Sequence, residues 1–163
     1  YIVIQPTSRW TFKCWDDDKF ANVIDGLAET GLTIVMTSGP DKKELDMVSK
    51  IQDLTHNPQV ISVAGQLSLT QLAAMIDGAK LFIGVDSAPM HMAAALNTPC
   101  VALFGPTKMQ HWRPWGKNNT TLWAGDYAPL PAPDSIDTKT QQRYLHAIPV
   151  SDVIDAARSY LHD

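Results

Sequence analysis

Short apolar runs alternate with amphipathic segments along the first hundred residues of the chain. Buried β-strands are predicted at residues 1–4, 34–36, 60–63, 81–85 and 100–104. The segments between these runs place apolar residues at the i, i+3, i+4, i+7 spacing of one helical face. Repeated strand–helix units with short connections imply a parallel sheet with right-handed crossovers. The pattern therefore predicts a doubly wound, Rossmann-like α/β domain.

The apolar spacing also predicts which side of each helix is buried. The predicted inner faces are Phe20, Val23, Ile24, Leu27 and Ala28 in the first helix, Leu45, Val48, Ile51 and Leu54 in the second, and Leu69, Leu72, Ala73 and Ile76 in the third. Gly31 is expected to end the first helix, because glycine tolerates left-handed backbone geometry. Ser68, with Gln71 three residues later, predicts a capping box at the start of the third.

The last third of the sequence has a different pattern. Residues 108–116 are expected to form an irregular loop, and residues 121–123 an edge strand. Three prolines between residues 127 and 137 favour a loop over a packed element. Apolar residues at helical spacing predict a final helix over residues 150–161.

Composition limits the class of protein. The chain has 163 residues, of which 45% are hydrophobic and 18% charged, and this balance is typical of one globular domain. A net charge of −4 argues against non-specific nucleic-acid binding. Only Cys14 and Cys100 are present, too few for a disulfide framework or a zinc cluster, and this favours a reducing, cytoplasmic location. The abrupt start within a strand suggests a domain excised from a longer protein.

Candidate chemistry lies in the loops that follow the strands. In a parallel sheet these loops meet at one edge, so residues 6–15, 37–44, 65–68 and 86–91 should share a site. Thr7, Ser8, Arg9 and Lys13 offer two hydroxyls and two cations, which suit a pyrophosphate. They are equally compatible with an ordinary solvated loop. The glycine-rich signatures of dinucleotide and P-loop sites are absent.

The segment after the fourth strand predicts a second part of that site. Asp86 or Ser87 is placed to cap the next helix, and Asp86 alternatively to accept hydrogen bonds from sugar hydroxyls. His91 lies one turn further and is either structural or a donor to phosphate. The three aspartates at residues 16–18 are interpreted as a helix start rather than a metal site, since consecutive helical residues diverge. Four tryptophans are placed in loops, where they either pack or stack on a ligand, namely Trp10, Trp15, Trp112 and Trp115.

These motifs together resemble one enzyme family. The resemblance rests on residues 7–9 with 13–15, on residues 65–69, on residues 84–95 (Gly-Val-Asp-Ser-Ala-Pro-Met-His-Met-Ala-Ala-Ala), and on residues 104–107 (Phe-Gly-Pro-Thr). In this order they resemble the C-terminal domain of the bacterial lipopolysaccharide heptosyltransferases, which are glycosyltransferases of family 9 with the GT-B architecture. Residues 144–149 are most similar to the heptosyltransferase III branch, which acts on the inner core.

The resemblance implies a role for ten residues in binding ADP-L-glycero-D-manno-heptose. The implied phosphate-side residues are Thr7, Ser8, Arg9, Lys13, Ser87, Ala88 and His91; Glu44 would bind the ribose, Leu67 the adenine and Asp86 the heptose. No metal and no cofactor are implied. Two departures from the family pattern are evident: one extra residue between Arg9 and Lys13, and Asp-Ser-Ala-Pro where Asp-Thr-Gly is commoner.

The resemblance also implies a reaction and a location. Residues 1–163 would form a single donor-binding domain of an enzyme that transfers heptose with inversion to the lipopolysaccharide inner core, at the cytoplasmic face of the inner membrane. The general base and the acceptor contacts would lie in an N-terminal domain, so the isolated domain should be inactive. The alternatives are a GT-B donor domain for a UDP- or GDP-linked sugar, and a non-catalytic nucleotide-binding module.

Overall fold

A six-stranded, all-parallel sheet forms the centre of the computed structural model, which describes residues 1–162. The strands are β1 (Ile2–Gln5), β2 (Ile34–Met36), β3 (Val60–Ser62), β4 (Leu81–Val85), β5 (Cys100–Phe104) and β6 (Asn119–Trp123). Their order across the sheet is β3-β2-β1-β4-β5-β6, so the direction of winding reverses between β1 and β4. This order confirms the predicted doubly wound α/β fold, in which ligands bind beyond the carboxyl ends of the strands at the reversal.

Helices cover both faces of the sheet. They are α1 (Asp17–Gly26), α2 (Lys42–Leu54), α3 (Leu69–Asp77), α4 (Ala88–Ala95), α5 (Met109–Trp112) and α6 (Val150–Arg158). Helix α1 packs against both α2 and α6 on one face, whereas α3 and α4 pack together on the other. No helix in residues 1–162 is long and apolar enough to span a membrane.

Alternation along the central strands divides the interior into two apolar cores. In β1, Ile2 and Ile4 belong to the core under α1, α2 and α6, while Val3 belongs to the core under α3 and α4. In the same way, Ile83 faces the first core and Phe82 the second. Successive strand residues point to opposite faces, so a strand covered on both sides is apolar throughout.

Several local predictions are confirmed and several are wrong. The capping box is present, with Gln71 N–H donating to Ser68 Oγ at 3.2 Å and Ser68 N–H donating to Gln71 Oε1 at 2.9 Å. Gly31 (φ +69°) ends a 3-10 turn at Ala28–Thr30 rather than α1, which ends at Gly26. The predicted loop 108–116 contains the short helix α5, and the last helix ends at Arg158 instead of residue 161.

Two leucines assigned to buried helical faces are exposed. Leu54 is 41% exposed because it lies in the last turn of α2, and Met47 packs inward in addition to Val48 and Ile51. Leu69 is 71% exposed at the first position of α3, whose buried residues are Leu72 and Ile76.

The C-terminal segment holds the first loop of the chain in place. Arg143 Nη1 donates to the Trp15 carbonyl oxygen at 2.9 Å and to Asp17 Oδ1 at 2.6 Å. Lys50 Nζ lies 3.4 Å from the other Asp17 oxygen. Asp17, in the middle of the acidic triplet, is therefore a structural ion-pair partner that ties the start of α1 to α2 and to the C-terminal segment.

Candidate functional site

A cleft of about 830 Å³ opens at the carboxyl ends of β1, β2 and β4, where the order of the sheet reverses. All ten predicted site residues line it: Thr7, Ser8, Arg9, Lys13, Glu44, Leu67, Asp86, Ser87, Ala88 and His91. The volume falls in the range of small-molecule sites. Residues far apart in the sequence, such as Lys13 and His91, thus share one cavity.

An ion pair lies at the base of the cleft. Lys13 Nζ is 2.7 Å from Asp86 Oδ2, and the side chains are 15% and 4% exposed. The Thr107 hydroxyl donates to the same carboxylate oxygen at 3.2 Å. Asp86 therefore does not cap α4, which corrects one of its two predicted roles. A buried carboxylate needs such a partner, because an unpaired charge in this position would be costly.

The amino end of α4 is open toward the cleft. Ser87 occupies the N-cap position, but its hydroxyl donates back to the Val85 carbonyl oxygen at 3.2 Å and makes no capping hydrogen bond to the helix. Pro89 lies in the first turn, where its missing N–H costs little. The first-turn amides and the positive end of the helix dipole together favour an anion here.

Thr7 and Glu44 form a second contact in the lining of the cleft. The Thr7 hydroxyl donates to Glu44 Oε1 at 2.6 Å, and the Gly39 amide donates to the same oxygen at 3.2 Å. A Cβ at position 39 would lie 2.7 Å from Glu44 Oε2, so glycine permits this close approach. Thr7 is fully buried and its hydroxyl is occupied, whereas Arg9 is exposed.

Two tryptophan rings, those of Trp10 and Trp112, also line the cleft. Trp10 stacks on Phe12 with 5.8 Å between ring centroids, and Lys13 Nζ lies 5.0 Å from the centroid of the Trp10 ring. Trp112, 51% exposed, lies 6.2 Å from the His91 ring. The other two predicted tryptophans do not line this cleft: Trp15 is buried against Phe20, and Trp115 is 84% exposed.

Sequence reasoning missed part of the lining. The lining residues that the sequence did not place at the site are Gln5, Leu69 and Leu72. Ser38, Gly39, Pro40, Ser68 and Pro89 also line the cleft, and they lie within the loops that were predicted to meet there. One signal was available, because Gln5 is a polar residue that directly follows three apolar residues in β1. For Leu69, the helical spacing predicted a position in the hydrophobic core, whereas the residue lines the cleft.

The two cysteines, Cys14 and Cys100, are buried and carry free thiols. Burial raises the pKa of the Cys14 thiol to about 11 and that of Cys100 to about 12. Within residues 1–162, no group of three or more His, Cys, Asp or Glu side chains is arranged to hold a metal ion.

Comparison with known proteins identifies the family. Residues 1–142 match the family described as glycosyltransferase family 9 (heptosyltransferase). The chain belongs to glycosyltransferase family 9. This confirms the resemblance on which the sequence-based site assignments depend.

Two curated family 9 relatives cover nearly the whole chain. Lipopolysaccharide heptosyltransferase 3 of Escherichia coli is 50% identical over 99% of this chain and 47% of its own length. The protein of the same name from E. coli strain K12 is 45% identical over 99% of this chain and 46% of its own length. This family 9 chain therefore spans about half the length of the curated relatives it matches.

Solved structures share the fold. A glycosyltransferase family 9 protein from Veillonella parvula superposes with a TM-score of 0.84 at 28% identity, covering 98% of this chain and 45% of the other. E. coli heptosyltransferase II superposes with a TM-score of 0.81 at 21% identity, covering 98% and 46%. The second likeness, at this identity, concerns the fold alone.

Proposed function

We propose that this chain is the donor-binding half of a heptosyltransferase and that the cleft binds ADP-L-glycero-D-manno-heptose. The single observation that carries the proposal is the Lys13–Asp86 pair, 2.7 Å apart, in one cleft with the uncapped amino end of α4. The names of the curated relatives support heptose as the transferred sugar. Structures of an E. coli heptosyltransferase are described with ADP and with ADP-2-deoxy-2-fluoro heptose, which supports the nucleotide.

The diphosphate would lie between Lys13 and the first turn of α4. A bound phosphate oxygen competes with Asp86 for the Lys13 ammonium group, which is already inside the cleft. Ser87 and Ala88 would present backbone amides to the phosphates, Ser8 its hydroxyl, and exposed Arg9 a second cation. His91, one turn into α4, would donate to a phosphate oxygen. Thr7 has a different role in this proposal, since its hydroxyl is bonded to Glu44.

The sugar and the nucleoside would occupy the two remaining parts of the cleft. Both contacts of Asp86 involve Oδ2, so we assign Oδ1 to a hydroxyl of the heptose. Glu44 would accept hydrogen bonds from the ribose hydroxyls, and Leu67 would contact the adenine. Carboxylates suit sugar hydroxyls because they accept several hydrogen bonds at once.

The proposed reaction is an inverting transfer without a metal ion. An acceptor hydroxyl oxygen attacks the anomeric carbon, the carbon–oxygen bond to the diphosphate breaks, and ADP leaves with the bonding electrons. Lys13, Arg9 and the α4 amides would stabilise the charge on the departing diphosphate. A general base must take the acceptor proton, and we place it in an N-terminal half outside this chain.

The acceptor and the cellular location of the reaction are also part of the proposal. The names of the curated relatives support the lipopolysaccharide core as acceptor, and we propose transfer at the cytoplasmic face of the inner membrane. The acceptor contacts would come from the N-terminal half. The 163-residue chain alone should therefore bind nucleotide and transfer no heptose.

Calorimetric titration of the 163-residue chain with ADP, UDP and GDP tests the nucleotide assignment. We expect binding of ADP at least about tenfold tighter than binding of the other two, because adenine would contact the Leu67 side of the cleft. Tighter binding of UDP or GDP would favour a donor domain for another sugar nucleotide. Absence of binding by all three would contradict the proposal.

A further inference from the structure

A chain of side-chain hydrogen bonds runs from Thr37, which follows β2, to Glu44 in α2, and its members Gln5, Thr7 and Glu44 line the cleft. The Thr37 hydroxyl donates to Gln5 Oε1 at 2.5 Å, and Gln5 Nε2 donates to Thr7 Oγ1 at 3.2 Å. The Thr7 hydroxyl then donates to Glu44 Oε1 at 2.6 Å. Thr37, Gln5 and Thr7 are buried, with exposures of 2%, 4% and 0%. We call these four residues the buried polar chain.

The direction of every hydrogen bond in the buried polar chain follows from its last member. An ionised carboxylate only accepts, and Glu44 Oε1 already accepts from the Gly39 amide. The Thr7 hydroxyl must then donate to Glu44 and use a lone pair to accept from Gln5. This leaves the Gln5 amide oxygen as the acceptor for Thr37. The direction of each hydrogen bond is therefore fixed, and the Glu44 carboxylate is held in one orientation.

Packing of the sheet does not explain a glutamine at this position. Ile2, Val3 and Ile4, the other residues of β1, are apolar and fully buried. A buried amide destabilises the fold when its hydrogen bonds are lost, whereas an apolar side chain has no such requirement. Both polar atoms of Gln5 are used within the buried polar chain, which ends at the Glu44 carboxylate in the cleft lining.

We propose that Gln5 and Thr37 are positioning residues that orient the Glu44 carboxylate toward the ribose hydroxyls of the bound nucleoside diphosphate. This inference rests on the proposed nucleotide site. Both protein hydrogen bonds fall on Oε1, so Oε2 is the oxygen assigned to the ligand. A carboxylate that is already held in place loses less side-chain entropy when the ligand binds.

Titration with ADP and with 2′,3′-dideoxy-ADP isolates this role, since the second nucleotide lacks both ribose hydroxyls. We expect the unaltered chain to bind ADP about tenfold or more tightly than the dideoxy compound. In Gln5→Met and in Thr37→Val this ratio should fall to about threefold or less, while the affinity for the dideoxy compound stays within about twofold. Thr37→Ser, which keeps the hydroxyl, should retain the full ratio.

Thr98→Val is the matched control. Thr98 is 4% exposed and its hydroxyl donates to the Ile76 carbonyl oxygen at 3.0 Å, outside the cleft lining. This variant also loses one buried hydroxyl, and the ratio should not change. Circular dichroism confirms that each variant is folded, and Thr37→Val carries the test if Gln5→Met does not fold.

The outcomes separate this inference from the proposed function. Failure of the unaltered chain to bind ADP contradicts the proposed function and, with it, this inference. ADP binding with an unchanged ratio in folded Gln5→Met and Thr37→Val overturns the inference alone. An equal loss of affinity for both nucleotides also overturns it, because a purely structural defect would not distinguish them.

Discussion

Asp25 and Asp86 lie at opposite edges of the sheet and differ in what surrounds their carboxylates. Asp25, in the last turns of α1, accepts hydrogen bonds from the Thr55 hydroxyl and from the amides of His56 (2.8 Å) and Asn57 (3.0 Å). Asp86 is more deeply buried, yet within residues 1–162 it accepts only from Thr107 and Lys13. Backbone and side-chain donors saturate the first carboxylate, whereas the second depends on a cation that also faces an open cleft.

This difference separates residues that hold the fold from residues available to a ligand. The Asp25 contacts join α1 to the loop before β3, and Asn57 Nδ2 donates in addition to the Ile24 carbonyl oxygen at 3.0 Å. All of these bonds are local to the amino edge of the sheet. At the carboxyl edge, the charges of Lys13 and Asp86 balance each other, and in the proposed complex a diphosphate would compete for the cation. Substitutions at the two edges should therefore affect different measurements.

The largest expected effect is on nucleotide binding. Lys13→Met should weaken ADP binding about a hundredfold, because a charge-assisted contact to phosphate is lost. Calorimetric titration of the folded variant measures it. Lys42→Met is the control, because Lys42 pairs with Asp46 on the exposed face of α2. This variant should bind ADP as tightly as the unaltered chain does. A change of less than about threefold in the ADP affinity of Lys13→Met would contradict the assignment of the carboxyl edge of the sheet to ligand binding.

A smaller effect is expected on stability when the amino edge is altered. Asp25→Ala should lower the free energy of unfolding by about 2 kcal/mol, because several donors lose their acceptor. The loss should be no larger, since the site is partly solvated and water can replace some of these hydrogen bonds. Urea unfolding measures it. The ADP affinity of this variant should equal that of the unaltered chain, since Asp25 does not line the cleft. If Asp25→Ala lost ADP affinity without losing stability, the assignment of Asp25 to the stability of the fold would be wrong.

The stabilising effect of Asp25 should depend on pH. Burial opposes ionisation, but the hydrogen bonds from Thr55, His56 and Asn57 outweigh it and lower the pKa of Asp25 below its ordinary value. A lowered folded-state pKa stabilises the fold above the unfolded pKa of about 4, and this contribution is lost as the pH falls through the folded value. Urea midpoints of the unaltered chain and Asp25→Ala should therefore converge below about pH 4. A difference that stays constant between pH 7 and pH 3 would contradict this.

The smallest expected effect is at the thiols. Cys14 follows Lys13 near the cleft and Cys100 begins β5, but burial raises their pKa values to about 11 and about 12. At pH 8 almost no thiolate is present, so the folded chain should not react with a disulfide reagent over an hour. Both thiols should react in denaturant. Rapid labelling of one thiol in the folded chain would show that its edge of the sheet opens.

The sequence predicted the strands well because burial on both faces leaves a clear signal. The run at 81–85 became β4 with the same bounds, and the run at 100–104 became β5. Helix ends were less accurate, because the apolar spacing continues beyond the last helical hydrogen bonds. After Gly26 the chain forms a 3-10 turn although Leu27 is still buried.

The ten predicted site residues lie in one cleft, but their contacts could not be predicted from the sequence. Topology brings the loops to one edge, and that much follows from the alternation of strands and helices. The Lys13–Asp86 pairing and the occupied Thr7 hydroxyl depend on distances between residues 73 and 37 positions apart. Single-residue patterns carry no information about such pairs. Gln5 shows the same limit, because a polar residue at a strand end does not reveal its partners.

The central claim is that the cleft binds a nucleoside diphosphate between Lys13 and the amino end of α4. The most direct measurement is a crystal structure of the chain soaked with ADP. The account predicts phosphate oxygens within about 3 Å of Lys13 Nζ and of first-turn amides of α4. ADP bound elsewhere, or an empty cleft with the Lys13–Asp86 pair unchanged at saturating ADP, would contradict it.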